Sequence, residues 1–360
     1  MLEAVLLVGG QGTRLRPLTL SAPKPMLPVA GAPCTEHQIA RAREAGVTRV
    51  VLGTSYRADV FTDAFGDGTA LGVELEYVWE QTPLGTGGAM RNVAAFLRSG
   101  PDDPVLVFNG DVLSGLDIGA LVQHWRDAQA DVALYLTRVE NPRAYGLVPT
   151  DENDRVIAFL EKPQTPEEIV TDQINAGCYV FKRRLLDEIP AGRPVSVERE
   201  VFPALVASGA TVIGHVDDSY WLDLGTPLAF VQGSADLVRG IAPSPAVPGA
   251  IGDALLLPGA DVAGDATVTG GSVVGVGAVI GAGAVVDGSV IMDGAVIAAG
   301  AQIRRSIVGA GARIGRATHL VEAVVGNNAT IGAGNELLSG VRVWPDVTLS
   351  ETAVRFSADA

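Results

Sequence analysis

Lysine is almost missing from this sequence. Of 26 basic residues only Lys24, Lys162 and Lys182 are lysines, and the rest are arginine. A lysine kept at Lys24, between two prolines, points to a compact ammonium that a wide, planar guanidinium would not replace. Positive charge is scarce as a whole, because 41 acidic residues leave a net charge of -15. That balance argues against nucleic acid or an anionic membrane as a partner of the whole surface, yet it leaves room for small anions at one local basic cleft. Cysteine is limited to Cys34 and Cys178, too few and too separated for a disulfide framework, and no CxxC pair suggests zinc. A reducing cytoplasm is the expected setting. No apolar run approaches the roughly 18 residues of a membrane span. The opening MLEAVLLVGG has no basic lead, so it reads as a buried strand rather than a signal peptide.

What is present is enough for two domains. The chain has 360 residues, 48% hydrophobic and 19% charged, and single cores stop growing at roughly 250 to 300 residues. Over residues 1–240, β-rich runs alternate with amphipathic stretches. EAVLLV, TRVVLG, VELEYV, PVLVFN and DVALYLTRV read as strands; TEHQIARAREAG, RADVFTDAFG and the region 87–98 read as helices. Such alternation predicts an α/β domain with a mainly parallel sheet covered on both faces, whose ligands lie beyond the carboxyl ends of its strands. Residues 241–252, rich in proline and glycine, form a linker.

From 253 to 360 the grammar changes. Aliphatic residues recur at Val274, Ile280 and Val286, again at Ile291, Ile297 and Ile303, again at Val308, Ile314 and Leu320, and again at Val325, Ile331 and Leu337. Steps of six close with a step of five, a period of 17 residues. One period is read as one triangular coil of three short parallel strands, with the aliphatics inward and coils stacked at about 4.8 Å. An unstructured linker has no reason to hold that phase.

The stretch GGQGTRLRPLTLSAPKP at 9–25 places Gly9, Gly10 and Gly12 after a buried strand, where backbone N–H groups can approach a phosphate or base. It satisfies neither the GxGxxG nor the GxxxxGK[ST] fingerprint. The glycines lead instead into Thr13, Arg14 and Arg16, and then to Lys24. Moving a nucleotidyl group brings anionic phosphates together, and each like-charge pair at 4 Å costs about 1 kcal/mol in water and about 4 at an effective dielectric near 20. Arg14 and Lys24 are suited to offset that repulsion. Asp111, ending FNGD, and Asp223, in YWLDLGTP, are two strand-end carboxylates suited to Mg²⁺ shared with substrate phosphates. Glu161 and Lys162 end the run VIAFLEKP and offer a hydroxyl acceptor beside a phosphate cation.

These motifs, with PLGTGGA, INAGCYVF and WLDLGTP, resemble the sugar-1-phosphate nucleotidylyltransferases over essentially the whole chain. The resemblance implies a Rossmann-like nucleotidyltransferase domain followed by a left-handed parallel β-helix of hexapeptide-type repeats. It implies the reaction of an NTP with a sugar 1-phosphate, with Mg²⁺, giving nucleotide-sugar and pyrophosphate. Its lean is toward GTP and mannose 1-phosphate, and thymidylyl, uridylyl or adenylyl transfer to glucose 1-phosphate is the alternative. Carried over by motif, Leu7, Gly9, Gly10, Gly12, Thr13, Arg14, Glu80 and Gly85 line the nucleotide; Lys24 joins Arg14 on its phosphates. Asp111 and Asp223 hold the metal. Gly146, Glu161, Lys162 and Asn175 face the sugar phosphate. Glu80 is expected to read guanine, offering two acceptors to the N1–H and exocyclic amine. Coils of this kind are expected to make the protein a homo-oligomer.

Two other classes compete. Hexapeptide coils also build acetyltransferases that use a histidine, and His319 is the only histidine in the coils; its HLVEA context, just before an inward aliphatic, reads as an exposed corner. A regulatory subunit that has lost catalysis is the other, disfavoured by the presence of Arg14, Lys24, Asp111, Lys162 and Asp223 together.

Overall fold

The computed structural model describes residues 2–55 and 57–356. Their contacts group into two units, Met1–Gly10 with Gln38–Trp221, and Gln11–His37 with Leu222–Ala360.

The first unit is built on a nine-stranded sheet. Its strands are β1 (Glu3–Leu7), β2 (Arg49–Thr54), β3 (Glu74–Trp79), β4 (Pro104–Asn109), β5 (Val132–Arg138), β6 (Gly146–Leu147), β7 (Leu160–Glu161), β8 (Gln173–Lys182) and β9 (Val212–Val216). The order β3-β2-β1-β4 is parallel throughout. These strands were legible because they are short, apolar and largely buried, as the central strands of a two-face-covered sheet must be. Beyond β4 the sheet turns antiparallel through β8, which also pairs with β5. The helices that come after the parallel strands are α1 (Cys34–Glu44), α2 (Ala58–Phe65), α3 (Gly85–Ala94) and α4 (Ile118–Asp127). Where the pattern predicts a helix over 87–98, α3 begins at Gly85 and ends at Ala94. VIAFLEKP is not one strand: Leu160–Glu161 pair with Gly146–Leu147, and Val156 forms only an isolated bridge to Thr150.

From β1 the chain goes first to β2 on one side and later reaches β4 on the other. The C-terminal ends of β1 and β4 therefore flank the point where strand order reverses, the place where open α/β sheets bind ligands. Leu7 pairs in register with Asn109 there, and the Gly110 N–H donates to the Leu7 carbonyl at 3.0 Å.

The second unit contains the coils. Three parallel sheets run along it, each strand pairing with the equivalent strand of the next coil. Val274, Ile291, Val308 and Val325 align in register, as do Ile280, Ile297, Ile314 and Ile331, and Val286, Ile303, Leu320 and Leu337. All twelve are buried in one cluster, as the period predicts. At both ends the spacing lengthens to 18 residues: Leu256 pairs with Val274, and Val325 with Val343. The corners explain the change. The tight corners carry a single positive-φ residue, Gly288, Arg305 or Glu322, whereas the longer ones carry the consecutive pairs Gly270–Gly271 and Ser339–Gly340. A second left-handed residue takes up the extra position.

A buried serine column runs beside the aliphatics. Ser272 Oγ accepts from the Ser289 N–H at 3.0 Å, Ser289 Oγ from Ser306 N–H at 3.1 Å, and Ser306 Oγ from Ala323 N–H at 3.0 Å. Each hydroxyl satisfies a backbone donor that the tight corner leaves over, since buried N–H groups must find acceptors. Ser306→Ala is expected to destabilise the protein by about 1 to 3 kcal/mol, the cost of a buried donor left unpaired. Thermal unfolding by circular dichroism reads this as a lowered midpoint, and an unchanged midpoint would contradict it.

Candidate active site

In the second unit the segment from Gln11 to Lys24 and the LDLGTP stretch form one cluster of charge. Gly12 has φ +56 and lies so close to Lys24 that an added Cβ would sit 2.8 Å from the lysine Cβ. Thr19 Oγ1 donates to the Gly12 carbonyl at 3.0 Å and closes the loop. Thr13–Leu15 and Lys24–Met26 are single 3-10 turns, and Pro25 and Met26, next to the lysine, are buried. Lys24 Nζ lies 3.6 Å from Asp223 Oδ1, and Arg14 Nη2 lies 3.8 Å from Asp223 Oδ2. Lys24 is only 11% exposed against 64% for Arg14. Gly225 was missed in the sequence: a Cβ there would sit 2.5 Å from Arg14 Nη2, so a side chain at this position would push aside the exposed tip of the guanidinium. Its mark in the sequence was the small residue two places after the aspartate.

In the first unit the sequence-predicted residues gather at the C-terminal edge of the sheet. Gly9 comes just after β1, and an added Cβ would meet Ser55 Oγ at 2.8 Å. Asp111 sits in the turn after β4, behind Gly110, whose own Cβ would meet the Leu7 carbonyl at 2.6 Å. Glu80 continues β3, its N–H donating to the Thr54 carbonyl at 2.8 Å. It is 7% exposed. Its Oε2 accepts from the Leu84 N–H at 3.3 Å just before α3, and burial pushes its carboxyl above the usual range, opposed by that hydrogen bond. Gly85 starts α3 with φ +70, and a Cβ would strike the Val195 carbonyl at 2.6 Å.

The residues expected to face the sugar phosphate come together through β6, β7 and β8. Glu161 pairs with Gly146, where a Cβ would lie 2.9 Å from Glu161 Oε2. Lys162 is next with φ +52, unusual for a side-chain-bearing residue, and its Nζ lies 3.5 Å from Glu161 Oε1. Leu147 pairs with Ile174, beside Asn175, whose Nδ2 donates to the Tyr179 hydroxyl at 2.8 Å and whose Oδ1 accepts from the Gly177 N–H at 3.1 Å. A register shift between Asn175 and Tyr179 re-aims the strand there.

Cys34 and Cys178 are both buried. His319 is an exposed residue of a coil strand, beside the inward Leu320. Among the described residues no helix is long and apolar enough to cross a membrane, and no three His, Cys, Asp or Glu side chains cluster for a metal. Carboxylates used singly suit Mg²⁺, which is commonly held by one or two of them with substrate phosphates supplying the remainder. Asp111 and Asp223 each carry carboxylate oxygens of that hard type.

Comparison with known proteins defines a nucleotidyl-transferring class. The chain belongs to the Nucleotidyl transferase family, matched over residues 3–240, and residues 250–357 match the GMPPB C-terminal domain. It is 58% identical to the mannose-1-phosphate guanylyltransferase of Mycobacterium tuberculosis over 99% of this chain and 98% of that one. It is 37% identical to a mannose-1-phosphate guanylyltransferase catalytic subunit beta of Drosophila pseudoobscura pseudoobscura over 72% of this chain and 70% of that one. Among solved structures, HddC of Yersinia pseudotuberculosis, crystallised also in complex with GMP-PN, matches with TM-score 0.56 and 26% identity, covering 65% of this chain and 98% of its own.

Proposed function

We propose that the protein transfers a guanylyl group from GTP to mannose 1-phosphate, giving GDP-mannose and pyrophosphate with Mg²⁺. The observation that carries the reading is the near-complete correspondence with a guanylyltransferase over 99% of the chain, coils included. A phosphate oxygen of the sugar 1-phosphate attacks the α-phosphorus of GTP. The bond to the β-phosphate's bridging oxygen breaks, and pyrophosphate leaves with the electron pair. Residues 1–240 carry this chemistry, 241–252 link, and the domain begun at 253 forms the coils, with 357–360 of the expected 253–360 lying outside the described residues.

Leu7, Gly9, Gly10, Gly12 and Thr13 line the nucleotide, and Gly85 closes over the base. Arg14 and Lys24 hold the triphosphate and offset the charge of the leaving pyrophosphate. Asp111 and Asp223 would hold Mg²⁺, which supplies charge neutralisation at the phosphates when bound. Lys162 takes the sugar phosphate; Gly146, Glu161 and Asn175 face the hydroxyls, with the Tyr179 contact fixing the Asn175 amide. Incubation with GTP, mannose 1-phosphate and Mg²⁺ is expected to yield pyrophosphate and GDP-mannose in equal amounts. Consumption of acetyl-CoA, or no turnover of any NTP, would contradict the reading.

Glu80 reads the base. Its burial supports this: a carboxylate 7% exposed must find donors, and guanine brings two on one edge. Adenine places an acceptor opposite it, and uracil or thymine flanks one donor with two carbonyls. A buried acceptor left unpaired costs about 1 to 3 kcal/mol, which supports roughly ten- to hundredfold preference for GTP. Glu80→Gln is therefore expected to lower kcat/KM for GTP more than for UTP or dTTP; equal loss with every nucleotide would remove Glu80 from recognition.

The coils mediate self-association in a cytoplasmic homo-oligomer. Leu256, Val276 and Trp344 support this, each about half exposed on the second unit. Removal of residues 251–360 is expected to lower the particle mass in light scattering to that of fewer chains, and an unchanged number of chains per particle would contradict it.

A further inference from the structure

One side chain grips the turn that carries Asp111. Gln38, on α1, is 7% exposed. Its Nε2 donates to the Asn109 carbonyl at 2.6 Å and to the Val112 carbonyl at 3.2 Å. Those carbonyls stand on either side of Gly110 and Asp111, so the two N–H bonds of a single planar amide fasten both ends of the turn. Three positions on, on the same helix face, Arg41 Nη2 donates to the Leu116 carbonyl at 2.6 Å and holds the segment further along. The opposite side of the turn is fixed by the Gly110 N–H on the Leu7 carbonyl. Gln38 Oε1, meanwhile, is buried with no hydrogen-bond partner among the described residues. An acceptor left over in this way marks an amide placed for its donors rather than for general packing, because buried polar groups without partners are costly.

We propose that Gln38 is a positioning residue for Asp111: its amide sets the backbone of the 109–112 turn and so aims the carboxylate at the divalent cation. The inference rests on the reading of Asp111 as a ligand of that cation. Residues that orient a ligand from behind typically change metal affinity or activity by about 10- to 100-fold when removed.

The test compares wild type, Gln38→Met and Asp111→Asn as full-length proteins. Mn²⁺ binding in the presence of GTP is measured by water-proton relaxation, alongside kcat, both KM values and the Mg²⁺ concentration for half activity. Gln38→Met, equal in length but without donors, is expected to bind Mn²⁺ about tenfold or more weakly. It should need correspondingly more Mg²⁺, recover kcat as Mg²⁺ is raised, and keep the KM for mannose 1-phosphate within about twofold. A lowered thermal midpoint with both KM values raised and no recovery by Mg²⁺ would mean Gln38 only packs, and overturns the proposal. Should Gln38→Met fail to fold, Gln38→Asn retains the amide but is too short to span both carbonyls; wild-type Mn²⁺ binding by that variant overturns it equally. Asp111→Asn separates the two levels. Lost Mn²⁺ binding there with normal binding by Gln38→Met defeats the positioning role alone, whereas normal binding by Asp111→Asn defeats the reading beneath it.

Discussion

Replacing Asp111 or Asp223 by asparagine is expected to cut turnover by about three orders of magnitude without unfolding the protein. Asparagine keeps the side chain's shape and removes its charge. A metal that neutralises phosphate charge is worth several kcal/mol of transition-state stabilisation, and each 1.36 kcal/mol is about tenfold in rate. The two variants should nevertheless differ. Asp223 lies 3.6 Å from Lys24 Nζ and 3.8 Å from an Arg14 nitrogen, so removing its charge leaves that cluster more positive. The KM for GTP is expected to stay level or fall in Asp223→Asn while kcat collapses; Asp111→Asn should instead raise the Mg²⁺ requirement. Pyrophosphate release as a function of GTP and Mg²⁺, with circular dichroism to confirm folding, measures both. Near-normal turnover of either variant at saturating Mg²⁺ would take that residue out of the site.

The lysines give the second large effect, and their exposure ranks them. Lys24 is 11% exposed and Lys162 57% exposed. A charge pair at 4 Å is worth about 1 kcal/mol in water but about 4 at an effective dielectric near 20. Lys24→Ala is therefore expected to lower kcat/KM for GTP by roughly a hundred- to thousandfold, and Lys162→Ala to raise the KM for mannose 1-phosphate by about five- to tenfold. Steady-state kinetics with each substrate varied in turn decides this. An unchanged sugar-phosphate KM in Lys162→Ala, or loss in Lys24→Ala confined to the sugar side, would reverse the assignment.

Much of the fold was readable because its signals are local. Buried central strands such as VVLG and VLVF are short apolar runs, and the 17-residue period of the coils is written in the aliphatics themselves. What escaped depends on partners distant in sequence. β8 contains INAGCYVF, which the eye takes as a motif; its antiparallel place beside β4 comes from a connection that no local pattern encodes. The lengthening of the end coils to 18 residues turned on a second left-handed residue at the corner, visible as Gly270–Gly271 but not at Ser339. Ser272, Ser289 and Ser306 repeat at 17 residues, yet single hydroxyls carry little weight beside an aliphatic column.

The candidate site divides in the same way. Gly12, Lys24, Glu161 and Asn175 could be picked out from residue type and motif. The closeness of Gly225 to Arg14, and the hold of Gln38 on carbonyls 71 and 74 positions away, could not. Backbone carbonyls have no sequence signature, so a side chain that works through them looks like any other polar residue of an amphipathic helix.

Substrate choice is where the proposed chemistry is most exposed to refutation. A matrix of GTP, ATP, UTP, CTP and dTTP against mannose 1-phosphate and glucose 1-phosphate, with pyrophosphate release giving kcat/KM for each pair, measures it in one experiment. GTP with mannose 1-phosphate is expected to exceed every other nucleotide by about tenfold or more, the margin of one buried carboxylate matched to two guanine donors. A larger kcat/KM for dTTP, UTP or ATP, or for glucose 1-phosphate with any nucleotide, would contradict it.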